Sequence, residues 1–417
     1  MNRFLAALLI VFASAAAAQT KPVRIVVAYP PGGGIGEGMG MQLARDGRRI
    51  LWLAHESAPK NFTAVDVTDP RKPKVIVQTD LPHGRMRSNS LETSGDLMAV
   101  AYQVSDWGAK PAGFEMFDIS DPEQPRSISM FDASGPTSRG CHQLWFVDGS
   151  TVHMACSDPE LKPRNLKDDQ IYRIVDVSNP ARPTALGRWH LPGTMETDEE
   201  PSPERLPEKF DAGLRAHNTN VYPQRPDRCY LGYLDAGMMV LDISDKSRPK
   251  MISRWSNSPP YNGFTHTVLP LFSRSLLVVT DECIQDDGKD WPKLVWLVDA
   301  RDERNLVSIS TLPVTGVTPL LHRGGRCGAH NVHENPPAKG AWRSEDYVLG
   351  TFFNAGVRAY DIRDPYQPRE IAHFIPPPPN GAPAGTAQIN DVFVDDRGIV
   401  FAVDRHAGGL YALEMSL

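Results

Sequence analysis

No G-x-S-x-G, no H-E-x-x-H and no C-x-x-C occurs in the 417 residues, which excludes the nucleophile elbow, the helical zinc-protease signature and a thioredoxin-type redox pair. No charge of one sign dominates. Lys+Arg number 44 and Asp+Glu 50, a formal charge of -6, so the chain lacks the basic footprint of a nucleic-acid binder. Beyond the first residues no apolar run approaches the length a bilayer needs, and no integral membrane span is expected. The stretch "AYPPGGGIGEG" looks like a phosphate loop. However, Gly32, Gly33, Gly34, Gly36, Gly38 and Gly40 never produce G-x-G-x-x-G, no G-K-[ST] is present, and "MQLARDGRRILWLA" reads as a β-hairpin. No nucleotide site is expected.

What is abundant is punctuation. The 37 prolines and 33 glycines follow no collagen period, which favours many turns between short strands and an all-β chain. Arg3, the apolar "FLAALLIVFASA" and Ala16-Ala17-Ala18 read as a signal peptide over residues 1–18, so the mature protein is expected in the periplasm or outside the cell. Cysteines number only five. Cys141 and Cys156 flank a hairpin turn at Asp148-Gly149. Pairing 147 with 150 sets the two cysteines directly opposite each other, where they form either a cross-strand disulfide or two buried thiols.

The chain repeats. "FTAVDVTDPRKPKVIV", "FEMFDISDPEQPRSIS", "IYRIVDVSNPARPTALG", "MMVLDISDKSRPKMIS", "VWLVDARDERNLVSIS" and "VRAYDIRDPYQPREIA" place Asp66, Asp118, Asp176, Asp242, Asp299 and Asp361 at intervals of 52, 58, 66, 57 and 62 residues. Such a period suits a four-stranded propeller blade with its loops. Each unit reads as an apolar strand, a polar turn and an outer strand. Seven residues after the aspartate stands Pro73, Pro125, Pro183, Pro249 or Pro368, with Leu306 in the fifth unit. Proline donates no N–H and suits an edge. Three residues further stands Ile76, Ile128, Leu186, Ile252, Ile309 or Ile371. A seventh unit starts at residue 389 and ends after three strands. "KPVRIVVAYPP" matches "QPREIAHFIPP", with Ile25 in the place of Ile371. The expected fold is therefore an all-β, seven-bladed β-propeller in one domain over 19–417, its last blade closed by an N-terminal strand at 21–29, with 30–40 a glycine-rich link.

The "DISDP..P" units resemble the LVIVD-repeat family of bacterial and archaeal secreted or surface proteins, over about residues 35–417. That resemblance implies a propeller-like β fold outside the cytoplasm and little about chemistry. Residues 1–34, the leader plus "KPVRIVVAYPPGGG", resemble instead the start of the periplasmic tricarboxylate-receptor solute-binding proteins, and ring closure and a fusion remnant both remain open for this segment.

Most long insertions fall on one face, which is where loops on a rigid scaffold carry function. Four inner strands begin there with histidine: His142, His217, His266 and His330. Blade two offers Asn89 and blade seven Asn390, whereas blade one offers only the glycine and methionine of "GMGMQ". Second strands end at the same face with His55, Glu56, Asp235, Asp281, Glu282, Asn354, Asp404, Arg405 and His406. Imidazoles arriving from separate blades suit a borderline metal such as Cu, Fe, Zn or Ni, with carboxylates and amides in support. His333, three residues past His330 on a strand, points elsewhere, and His153 reads as core. The expectation is a metal centre acting on a small organic molecule by oxidation or hydrolysis. The alternative is a non-catalytic propeller that binds a ligand or surface partner on the long-loop face. The acidic run Glu196 to Glu204 reads as a solvated loop that, if it were a lid, would discourage anions.

Overall fold

The computed structural model of the protein describes residues 23–29, 35–406 and 409–415, with side chains from residue 36 onward. The leader expected at 1–18 and residues 30–34 of the expected link lie outside them. The protein is an all-β propeller, with no α-helix among the described residues. Among the described residues no helix is long and apolar enough to cross a membrane.

The strands assemble into antiparallel units in chain order. The first holds Ile35–Leu43, Arg49–His55, Lys60–Asp66 and Lys74–Asp80, and the second Met86–Ser94, Leu97–Val104, Gly113–Asp118 and Arg126–Asp132. A single pair, His55 with Ser88, joins these two. Three further sheets cover 141–189, 219–255 and 265–311. The next has three named strands, Tyr347–Thr351, Val357–Asp361 and Arg369–Phe374, with Val332 bridged to Gly350 on its inner side. The last runs Ile389–Val394, Ile399–Asp404, Leu410–Met415 and then Val23–Tyr29 as its outer strand. Residues 35–40, expected within a flexible link, are instead strand. Their alternate glycines let it lie tight against the second sheet, since a Cβ on Gly38 would come within 2.2 Å of the Leu91 nitrogen.

The repeat now has a local cause. In all six units the key aspartate accepts a hydrogen bond from the backbone N–H two residues on, as Asp118 does from Ser120 at 2.9 Å and Asp361 from Arg363 at 3.0 Å. A second Asp or Asn three residues later does the same, from Asp69 through Asp364. Two successive turns of this kind reverse the chain, and the proline then precedes the outer strand. The recurrent Ile or Leu is the extra residue of a β-bulge. Val65 pairs Val75 and Ala64 pairs Val77, which leaves Ile76 between, and the same holds at Ile128, Leu186, Ile252, Ile309 and Ile371. The N-terminal strand carries the matching bulge at Val26, one residue past the expected Ile25.

Apolar side chains fill the spaces between sheets, with Trp52, Trp145, Phe62 and Phe114 among the largest fully buried. Polar groups share this interior where they are paired, Arg358 and Lys293 being the largest. Arg358, 0% exposed, donates to Glu370 at 2.7 Å, to the Thr315 carbonyl at 3.0 Å and to the Ala355 carbonyl at 3.1 Å. Arg358→Ala takes the buried cation from Glu370, which keeps Thr315 and His373, so a loss at the lower end of roughly 3–5 kcal/mol is expected. The readout is a lower urea midpoint at unchanged slope, and an unmoved midpoint would show that the pair contributes nothing net.

Candidate metal centre

At one end of each inner strand the ladder breaks its register. Shifts lie between Ile35 and Met39, Ser88 and Ser90, Cys141 and Gln143, Thr265 and Val268, and Ile389 and Asp391. In the fourth sheet Gly232 faces both His217 and Asn218, accepting from the first and donating to the second. In the sixth, Thr351 faces His330 and Asn331 in the same way. A bulge re-aims a side chain, and the residues at these bulges are Glu37, Asn89, His142, His217, His266, His330 and Asn390.

The four histidines converge with Glu37. His142 Nε2 lies 2.7 Å from His217 Nε2, and the His217 and His266 rings are 3.8 Å apart between centroids. Glu37 Oε1 is 3.4 Å from His330 Nε2, and Oε2 is 3.6 Å from His266, 3.7 Å from His217 and 3.8 Å from His142. Glu282 places Oε1 3.7 Å from His330 and Oε2 3.9 Å from His266. All are buried. Donors held by one ion through bonds of about 2.0–2.2 Å stand roughly 3 Å apart, so these spacings are those of a loose first shell.

The outward nitrogens decide the tautomers. His142 Nδ1 meets Gln103 Oε1 at 2.5 Å, and that same oxygen accepts from Arg87. His217 Nδ1 meets Asn218 Oδ1 at 2.8 Å, while the Asn218 amide donates to Glu334. His266 Nδ1 meets Thr267 Oγ1 at 2.8 Å, and His330 Nδ1 the Asn390 carbonyl at 2.5 Å. Each Nδ1 has an oxygen able to accept, although Arg87 Nη2 also stands 3.5 Å from His142 Nδ1, so each ring can carry a proton on Nδ1 with Nε2 aimed at the axis. Burial, reinforced by His217, holds His142 well below its usual pKa, and burial with His266 brings His217 to about 3. Both rings are therefore neutral at pH 7, and their two lone pairs meet at 2.7 Å. For Glu37 burial acts upward, but the four imidazoles outweigh it and hold the carboxyl well below its ordinary value. For His330 burial acts downward, and Glu282 and Glu37 together raise it.

The other expected residues divide. Asn89 reaches Glu37 at 3.5 Å, and Asn390 reaches Glu56 at 3.4 Å. Glu282 lies at the site, whereas Glu56 sits beside it, paired with Arg87 and Arg405. His55 turns away to Thr63 at 2.8 Å. Asp281 faces Trp296 within its sheet, and Asp235 binds the backbone of Ala212 and Gly213; burial first of all raises both to about 6. Asn354 holds the Leu320 and Gly324 carbonyls, Asp404 holds Gln388 and His406, and His406 is exposed. His333 lies against Trp342 and Val394, and His153 against Tyr172. Asp235, Asn354 and Asp404 thus anchor the long loops instead of reaching the axis.

Glu37 was missed because it stands inside the glycine run. The signal was available. Extending the pairing of Met39 with Leu53 back by two residues sets Glu37 at the level of His55, where the other sheets present their axial residues, although the bulge pairs His55 itself with Ile35. Also missed were Glu92, Glu334 and Asp391 beyond the histidines, beside Gln143 in a shared cavity. Burial, first of all, brings Glu334 to about 7.

The solved β-propeller domain of Cps50 (Swd1) from Myceliophteria thermophila matches with a TM-score of 0.57 at 14% identity, covering 95% of this chain and 100% of that one. At that identity the likeness is one of fold. No curated protein matches the chain at a comparable level. Two segments, residues 169–190 and 229–256, match the LVIVD repeat, and they hold two of the Asp-Val/Ile-Ser units, those of Asp176 and Asp242, with the outer strands that follow them.

Proposed function

We propose that the chain is a seven-bladed propeller, exported from the cytoplasm, whose axial mouth holds one transition-metal ion on His142, His217, His266, His330 and Glu37 and uses it on a small organic molecule. The observation that carries the metal is the collision of lone pairs between His142 and His217, which a cation between them turns into attraction. A shared proton would satisfy those two rings alone. Two further imidazoles and a carboxylate at the same point supply five donors, and three trios among these and Glu282 bring their ligand atoms within 4.8 Å of one another. Five nitrogen and oxygen donors without a thiolate suit Fe, Cu or Ni, and exceed the four of a structural zinc site. Such an ion can activate water or dioxygen, for hydrolysis or oxidation.

Export rests on the leader-like first residues and on the disulfide between Cys141 and Cys156, a bond that persists in oxidising compartments. A ring of seven blades rests on the strand units and on the pairing of Val23–Tyr29 with Leu410–Met415.

Elemental analysis of protein purified without an affinity tag tests the centre, with about one equivalent of Fe, Cu, Ni or Zn expected. Glu37→Gln keeps the volume and removes the charge. It is expected to weaken metal binding at least about tenfold, read by competition with a chelator. Equal affinity in that variant would remove Glu37 from the ligand set.

A further inference from the structure

The histidines lie beneath a collar of arginine. Arg87, Arg139, Arg215, Arg326 and Arg405 come from five parts of the chain to the loop face, and their carboxylate partners are fewer than they are. Arg87 and Arg405 share Glu56, Arg139 pairs Asp169 at 2.6 Å, and Arg326 pairs Glu282 at 2.7 Å. Arg215, 8% exposed, donates only to neutral oxygens, Gln170 Oε1 at 2.6 Å and the Ala212 carbonyl at 3.4 Å. Arg215 alone of the five has no carboxylate within hydrogen-bond distance, though Asp169 and Asp235 act on it from further off, as Glu37 does on Arg87 and Arg405. Burial, then the neighbouring charge of Arg139, pushes Arg215 down to about 10, so it remains a cation at neutral pH inside a crowd of like charge. Arg405 Nη1 is buried with no hydrogen-bond partner.

A cleft of about 380 Å3 opens beside this collar, lined by Glu56, Met86, Arg87, Gln103, Ser105 and Arg139. That size suits a small organic molecule. Its wall is coupled to the histidines, because Gln103 Oε1 accepts from both Arg87 at 2.9 Å and His142 Nδ1 at 2.5 Å. The acidic run once considered as a lid is held to one side. Arg164 grips the Asp198 and Glu200 carbonyls, and Asp198 is turned in toward His190 and the Gly193 and Met195 amides. Nothing in those contacts sets its negative charge over the cleft.

We propose that this cleft is the substrate site and that its ligand is a small organic carboxylate, held beside the axial centre by the guanidinium edges of Arg87 and Arg139 that Glu56, Gln103 and Asp169 leave open. A planar fork matches a planar carboxylate through two parallel hydrogen bonds. The assignment deepens the reading of the loop face as the working face, but it does not require the metal, since the arginines stand outside the histidine cluster.

The test is calorimetric titration with oxalate and benzoate, with benzamide as the neutral counterpart of benzoate and inorganic phosphate as a tetrahedral anion. Both metal-loaded and chelator-stripped protein are used, in the wild type, Arg87→Gln and Glu56→Gln. Carboxylates are expected to bind and benzamide not to, more weakly as salt rises. Arg87→Gln leaves Arg405 on Glu56 and should weaken carboxylate binding at least tenfold, whereas Glu56→Gln frees positive charge and should tighten it several-fold. Opposite signs separate a charge effect from structural damage, which moves both variants the same way, and Glu56→Gln alone decides the matter if Arg87→Gln does not fold. Carboxylate binding to a protein that never holds metal would uphold the collar while the metal reading fails. Metal-loaded protein that does not distinguish benzoate from benzamide, or that prefers phosphate tenfold, would overturn the carboxylate site and leave the metal standing.

Discussion

Replacing His142, His217, His266 and His330 together by alanine is expected to reduce bound metal from about one equivalent to none while the propeller stays folded. The four rings sit at bulges at strand ends, and their main loss to packing is the contact of His330 with the buried Phe353, at 4.7 Å between ring centroids. The acceptors they leave keep other partners: Gln103 Oε1 retains Arg87, and the Asn390 carbonyl retains Thr351 Oγ1 at 3.1 Å. In the wild type a metal bound only by the native state adds stability that grows with the logarithm of its concentration over Kd, about 4 kcal/mol at a thousandfold excess. Chelation should therefore lower the wild-type Tm by several degrees and leave the variant unmoved. The variant should also melt above the chelated wild type, because the opposed lone pairs of His142 and His217 are gone. Metal retained by the variant, or a wild type that takes up no metal when reloaded, would sink the centre. A wild type that binds metal with no change in Tm would separate binding from any clamping of the inner strands.

Much of this architecture was legible because the repeat is written in turn chemistry. An aspartate whose carboxylate binds the backbone two residues on, with a proline opening an edge, leaves the same trace in sequence as in structure, and the strand order followed from it. Features that depend on register were harder. Cys141 does stand opposite Cys156, yet not for the reason of a turn pairing 147 with 150: Trp145 pairs His153, one step out of that register, and the bulge at His142 restores it. Two single-residue errors cancelled. Bulges hid Glu37 in the same way, since a residue displaced from the alternation looks like part of a loop when its neighbours are Gly36 and Gly38. Those glycines mark close approach of two backbones, which composition alone cannot tell from flexibility. The histidines were found because four of one type recur at one position, while of the collar only Arg405 was expected, because Arg139 and Arg326 stand three and four residues before their axial histidines and only Arg87 and Arg215 share an offset, two residues before Asn89 and His217.

The strand Val23–Tyr29 carries the other large expectation. It pairs along the length of Leu410–Met415, from Val23 with Met415 to Tyr29 with Leu410, and thereby covers the open side of a strand whose Leu410, Ala412 and Leu413 are buried. A chain beginning at Pro30 should expose that edge, compared with one beginning at Gln19. Several ladder hydrogen bonds at about 1 kcal/mol each set the direct loss at roughly 3–6 kcal/mol. An uncovered edge of this composition also templates pairing between molecules, so the shortened chain should aggregate as its concentration rises. Urea midpoints and light scattering report the two effects. A synthetic peptide spanning 19–31 should restore both by adding its strand to the edge, as extended peptides do on exposed sheets. Restoration would show that the loss came from the strand itself. Equal midpoints for the two chains would mean that the sheet is complete without this segment, and the ring-closing role of Val23–Tyr29 would then be overturned.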